Sequence, residues 1–326
     1  SFNYTREGAH SASRILFHYD ITGKEITDKL LKEVRKRKNI TLLEHTTLID
    51  IVESDGECVG AVIADDKGNI QAVKCEYTVL ACGGIGGLYR HSTNFKHLTG
   101  DAVAIAIKHN VELKNINYIQ IHPTTLYSEK PEERSFLISE SVRGEGAKLY
   151  NKNMERFVDE LLPRDLLTKA IKEQMEKDGS DFVWEDLRTI PPEELREHFP
   201  NIAKHCNENN YDVTKECIPV VPAQHYFMGG IKVDYNSKTS MERLYAIGET
   251  ACNGVHGRSR LASNSLLESL VFAKRAAEKM KNNPVKRTEL PQIDFSKYSN
   301  RKALEEEYRK MVLDEIKKAE KENENV

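Results

Sequence analysis

The sequence lacks most of the features that would tie it to a membrane, a metal or a polyanion. No apolar run approaches the ~18 residues of a membrane-spanning helix. The first residues show no signal-peptide pattern either, so a cytoplasmic location without membrane partners is expected. Six cysteines, Cys58, Cys75, Cys82, Cys206, Cys217 and Cys252, are scattered, with no CxxC and no His/Cys cluster at zinc spacing. Reduced thiols are the expectation, rather than a disulfide framework or a metal site. There is no basic surplus: 48 Lys and Arg stand against 51 Asp and Glu, a formal net charge of −3. Nucleic acid is therefore not an expected partner, because polyanion binders carry a basic excess or stripe. P-loop, Ser-His-Asp and Cys-His arrangements are also missing. Gly83-Gly84-Ile85-Gly86-Gly87 is rich in glycine, yet counting from Gly84 the third position of GxGxxG falls on Tyr89.

What remains describes a globular chain: 326 residues, 39% hydrophobic and 30% charged, enough for two domains and a substantial core. Thr22 and Glu25 form a capping-box pattern ahead of a helix with Ile26, Leu30, Leu31 and Val34 on one side. Strand patterns follow at 40–44, 47–52, 59–64, 70–73 and 77–82. Asp101 is placed as the N-cap of a helix running to Asn110, or as a residue that also faces a ligand. A strand at 119–124 is expected to halt at Pro123. Pro163 opens a helix with Leu166, Leu167, Ala170, Ile171 and Met175 inward, ending at Gly179. Further strands are read from Ile218 and Leu244. A helix begins after Asn264, with Leu266, Leu267, Leu270, Val271, Ala273 and Ala277 as its apolar side. The last helix starts near Asn300 with Leu304, Tyr308, Met311, Val312 and Ile316 in its stripe, and is expected to fray after Ala319.

Polar groups gather at the ends of these segments: His122, Ser139, Glu140, Arg143, Arg164, His225, Arg258 and Arg260. Guanidinium groups aimed into one cavity would bind a dicarboxylate, because each pairs a carboxylate through two parallel bonds. The helix start after Asn264 presents free N–H groups that suit an anion, or a ring that becomes anionic on reduction. The ordinary alternative is that Ser263 caps the helix, the arginines are solvated and the histidines are satisfied core groups.

Several stretches match one family in order. They are TREGAHSASRIL from Thr5, QIHPTTL from Gln120, FLISESVRGEGA from Phe136, PRDL from Pro163, AQHYFMGG from Ala223, LYAIGE from Leu244 and RLASNSLLE from Arg260. Together they resemble the L-aspartate oxidases, flavoproteins of the succinate dehydrogenase and fumarate reductase family. The resemblance implies FAD as cofactor and small dicarboxylates, L-aspartate and fumarate, as ligands. It places Glu7 near the substrate ammonium, His122 and Ser139 on one carboxylate with Gln120 nearby, and His225 and Arg260 on the other. Arg164 becomes the proton donor or acceptor. Glu249 falls at the ribityl chain, Ser265 and Leu266 under the isoalloxazine, and Thr47, Leu48 and Asp101 at further cofactor contacts.

The implied reaction is oxidation of L-aspartate to iminoaspartate with dioxygen or fumarate as acceptor, the first step of quinolinate and NAD biosynthesis. Quinolinate synthase would then take the product. The alternatives are a fumarate reductase or succinate dehydrogenase flavoprotein subunit, which Glu7 disfavours because succinate has no ammonium, and a non-catalytic fragment unable to hold FAD alone.

The implied fold class is α/β, an incomplete Rossmann-like FAD-binding domain with an inserted α+β capping domain and a C-terminal helix. Residues 1–118 and 225–284 form the FAD-binding domain, 119–224 the capping domain, and 285–326 the start of a helical domain. Family members begin with a GxGxxG unit that this sequence does not contain, so it reads as a fragment or as a chain that a second chain completes.

Overall fold

The structure is a computed structural model that describes residues 4–5, 11–18, 21–129 and 134–324. Glu7 lies outside the described residues. Thr46–Ser54, Glu57–Asp65 and Ile70–Lys74 form an antiparallel three-stranded sheet in sequence order. Asp55 and Gly56 both take positive φ at its first hairpin, the conformation a tight two-residue turn requires. At the second turn, the Asp65 carboxylate accepts from the Lys67 and Asn69 backbone N–H groups. Ile49, Val52, Val59 and Val62 pack under this sheet against Tyr298. Residues 40–44 are not a strand: Ile40, Leu42 and Leu43 are exposed, and His45 turns the chain with φ 54°.

Thr78–Leu80 pairs in parallel with Leu244–Ala246, with Thr78 and Leu80 buried and Val79 turned outward. The Asp101–Lys108 helix buries Ala102 through Ala106 without a break, so it is apolar on all sides, as a core helix must be. Its N-cap is Gly100 in the left-handed region, not Asp101. A Cβ on Gly100 would lie 2.9 Å from Ile85, and the Asp101 carboxylate instead accepts from Thr99 Oγ1 at 2.6 Å. The last helix, Arg301–Glu324, lays Tyr308, Val312 and Ile316 into the same core and stays helical past Ala319.

A second sheet, all antiparallel, runs in the order Ile119–Leu126, Ile218–Phe227, Val183–Asp186 and Lys148–Tyr150. The Arg164–Asp178 helix packs on it through Leu167 and Ile171. Pro123 does not end its strand. It sits in a register shift opposite Pro222, where the ladder needs no N–H from it.

Two helices differ from expectation. Thr22–Arg35 is N-capped by Ile21, so the capping box does not form, and Thr22 Oγ1 accepts from the His18 N–H. Asn264–Asn282 buries Glu268, Phe272 and Ala276, while Leu266, Leu267, Leu270 and Val271 are exposed. The face that packs meets the Gly248–Thr250 turn, Glu268 accepts from Asn253 Nδ2, and Ser237 Oγ reaches the Phe272 carbonyl. Among the described residues, no helix is long and apolar enough to cross a membrane.

Candidate functional site

The two long strands of the second sheet deliver two histidines to one place. Ile121 pairs with Gln224 and Gln120 with Tyr226, so His225 is an extra residue in a β-bulge. A bulge bends its strand and re-aims the inserted side chain. The other register shift lies beside His122, whose ring centroid is 5.3 Å from that of His225. His122 Nδ1 is held by Thr124, and Thr93 Oγ1 is 2.8 Å from His225 Nδ1.

Buried Gln120 joins the arginines. Its Oε1 accepts from Arg164 Nη1 at 3.0 Å, and its Nε2 donates to the Arg260 carbonyl at 2.9 Å. Arg164, at the first turn of its helix, also pairs with Glu140 at 2.6 Å. Glu140 follows Ser139, whose Oγ caps the short Glu140–Gly144 helix by accepting from Ser141 N–H. Behind them, buried Arg143 donates to Thr124 Oγ1 and to the Glu160 carbonyl. Buried Arg260 lies over the Tyr226 ring, 4.9 Å from its centroid, and donates to Ser265 Oγ at 3.2 Å.

The charges in this knot are unbalanced toward positive. Burial, then His225, Arg164 and Arg143, push the His122 pKa well below 6.5. Burial, then Arg260 and Arg164, do the same to His225. Both rings are therefore neutral near pH 7, and the net cationic character comes from the guanidinium groups. Such a site is built for an anion with several acceptor oxygens.

The neighbouring edge suits a flavin. Glu249 sits in the turn after Leu244–Ala246, where Oε1 accepts from Phe227 N–H at 2.8 Å. A Cβ on Gly84 would fall 2.4 Å from that oxygen, so the glycine run is needed for the carboxyl to lie there. Burial raises its pKa to about 7, with the Phe227 N–H and Arg260 opposing. Its carboxyl can serve a polyol as donor or acceptor, and the Asn264–Asn282 helix start offers N–H groups to an electron-rich ring edge. These residues fit the ribityl and ring portions of FAD.

The structure thus gathers His122, His225, Arg164 and Arg260, with Glu140, Glu249 and Ser265 at their margins. Ser139 lies beside the cluster as a helix cap. Thr47 is exposed on the Thr46–Ser54 strand, Leu48 packs on the central core, Asp101 bonds Thr99 and Leu266 is exposed beside Ser265. Those four are not hydrogen-bonded to the cluster among the described residues. Arg258 lies on the surface over Tyr118. The motifs passed over Ser92, Thr93 and Asn94, which grip Gln224 and His225; the only signal for them was polar residues shortly after a glycine run.

A family model described as an FAD binding domain matches residues 1–266. The chain belongs to that family. Its cofactor is FAD, as the motif resemblance implied. The chain is 55% identical over 274 residues to an L-aspartate oxidase of Clostridium perfringens, covering 84% of this chain and 62% of that protein. It is 52% identical over 283 residues to an L-aspartate oxidase of Clostridium acetobutylicum, covering 87% and 65%. The chain thus spans less than two thirds of the length of these curated relatives. An E. coli quinol fumarate reductase superposes with a TM-score of 0.80 at 30% identity, over 93% of this chain and 55% of the other.

Proposed function

We propose that the chain carries the substrate site and the flavin-side wall of an L-aspartate oxidase, converting L-aspartate to iminoaspartate with dioxygen or fumarate as acceptor. The observation that carries this reading is the packing of the His122 and His225 rings beside Arg164 and Arg260, with Gln120 bonding the Arg164 guanidinium and the Arg260 carbonyl. A four-carbon diacid would be held at one carboxylate by His122 and Ser139 and at the other by His225 and Arg260. Glu7 would meet the substrate ammonium. Bound FAD supplies the hydride-accepting ring. Held at both ends, the substrate keeps its Cα–H in a single orientation, and orientation of this kind supplies much of an enzyme's rate gain.

In the fumarate direction Arg164 delivers a proton to the substrate carbon, and Glu140, 2.7 Å from its Nε, is the group able to restore it. Ser265 and the helix start would stabilise negative charge on a bound flavin, and Glu249 would hold its ribityl chain, with Thr47, Leu48, Asp101 and Leu266 as outer contacts. Residues 119–224 act as a capping domain over a FAD-binding domain formed by 1–118 and 225–284, and 285–326 begins a helical domain. The product feeds quinolinate and NAD biosynthesis through quinolinate synthase in the cytoplasm.

The 30% identity to a fumarate reductase supports a second reading, a dicarboxylate reductase or dehydrogenase subunit. Turnover of L-aspartate and of succinate by the full-length, FAD-loaded protein separates the two. Preference for L-aspartate is expected; preference for succinate would replace the first reading and remove the role given to Glu7.

A further inference from the structure

His225 is held from behind by a tripeptide that no motif assigns. Thr93 N–H donates to the Gln224 carbonyl at 2.9 Å, and Gln224 N–H donates to the His91 carbonyl at 2.9 Å. Asn94 Nδ2 donates to the His225 carbonyl and to Gln224 Oε1, both at 3.0 Å, while Ser92 Oγ donates to the same Oε1 at 2.7 Å. The fit depends on Gly86, where a Cβ would lie 2.5 Å from both Asn94 Cβ and Ser92 Oγ. Thr93 is therefore fixed in place, with its hydroxyl 2.8 Å from His225 Nδ1.

A hydroxyl has one proton to give. The competing acceptor for Thr93 is the Gln224 carbonyl, which is 3.5 Å away and already receives the Thr93 N–H. The short contact is the better place for that proton, an arrangement in which Nδ1 accepts. His225 is neutral in this cationic setting, and a neutral imidazole whose Nδ1 accepts carries its N–H on Nε2.

We infer that Thr93 is a positioning residue that holds His225 in its Nε2–H tautomer, so that the ring donates to a carboxylate of the bound diacid. This rests on the dicarboxylate reading given above. The opposite tautomer would set a lone pair against an acceptor-only group and repel it. Thr93 touches neither substrate nor cofactor in this scheme; it acts through the ring.

The test uses the FAD-loaded full-length protein with 15N-labelled histidine. Long-range 1H–15N NMR correlations, assigned with His225→Gln, report which ring nitrogen holds the proton in wild type, Thr93→Val and Thr93→Ser. Fumarate titration of the flavin absorbance gives the dissociation constant for each. Wild type and Thr93→Ser are expected to show Nε2–H, and Thr93→Val a mixture of tautomers. Fumarate binding should weaken about tenfold in Thr93→Val and stay within about threefold in Thr93→Ser. An Nδ1–H tautomer in wild type overturns the inference, as does a Thr93→Val protein unchanged in both readouts. If Thr93→Val does not fold, the wild-type tautomer and the Thr93→Ser titration decide. Failure of wild type to bind fumarate counts against the dicarboxylate reading, while the tautomer of the ligand-free protein still tests the role of Thr93.

Discussion

Arg164 differs from an ordinary helix-start arginine because its guanidinium is largely enclosed and bonded on two sides, to Glu140 and Gln120. Replacing it with alanine is expected to lower fumarate reduction at least about 100-fold in a protein that still folds, with a lower unfolding midpoint because Gln120 Oε1 and Glu140 lose a partner. Stopped-flow turnover and thermal unfolding check both halves. Glu185 is a different kind of residue: fully buried, with neither carboxyl oxygen hydrogen-bonded among the described residues. Burial raises its pKa to about 7, against the opposing pull of Arg143. A carboxyl whose folded pKa exceeds its unfolded value stabilises the fold below the unfolded value, near 4.5, and that contribution is lost as pH rises through about 7. Between pH 5 and pH 8 the melting temperature of wild type should fall relative to that of Glu185→Gln, because the glutamine carries no charge into the core at the higher pH. His122, His225, Arg164 and Arg260 were legible in the sequence because each sits in a short motif at a segment end. Thr93 was not, since its meaning lies in a contact with a residue 132 positions away, and Gln120 was read only as a neighbour of the substrate, not as the link to the Arg260 carbonyl 140 positions away.

At the level of elements, the end of the Asp101–Lys108 helix is bound to the Thr46–Ser54 strand through Asp50. This buried carboxylate accepts from Lys108 Nζ, His109 Nε2 and Tyr298 Oη at 2.6, 2.8 and 2.9 Å. His109 Nδ1 also faces Glu53 at 3.1 Å, so an acceptor lies at each ring nitrogen and the doubly protonated ring fits best. Burial opposes the charge on His109, but hydrogen bonds to Asp50 and Glu53 outweigh it and raise the pKa. Burial likewise opposes ionisation of Asp50, and the bonds from His109 and Lys108 hold its pKa below 3.8.

The His109 contribution is therefore complete below about pH 6.5 and fades as pH rises through its higher folded value. The Asp50 contribution is complete above about pH 3.8 and fades in acid. Asp50→Ala should cost about 3–5 kcal/mol in denaturant unfolding at pH 6, because it strands buried partners. His109→Gln should lose less at pH 9 than at pH 6. The hairpins and the Asp101–Lys108 helix could be read from turn residues and apolar runs. The strand expected at 40–44 and the inward face expected of Asn264–Asn282 could not. Which side of an apolar segment is covered depends on neighbours far away in the chain, and here Phe272 and Ala276 are covered while Leu267 and Leu270 are not.

Across the whole molecule, one arrangement links fold to chemistry. Two long antiparallel strands with paired register shifts bring His122 and His225 together, and Gln120 ties the Arg164 helix to the Arg260 loop that precedes the flavin-facing helix. The order of motifs anticipated which segments meet. The register shifts that aim the rings were hidden, since a bulge is a property of two paired strands and not of either sequence alone. The most direct measurement is a crystal structure of the full-length, FAD-loaded protein soaked with fumarate. The diacid is expected between the rings of His122 and His225, with a carboxylate on Arg260 and with Arg164 facing the double bond. Fumarate bound elsewhere, or those four side chains facing a cavity that stays solvent-filled at saturating ligand, would contradict it.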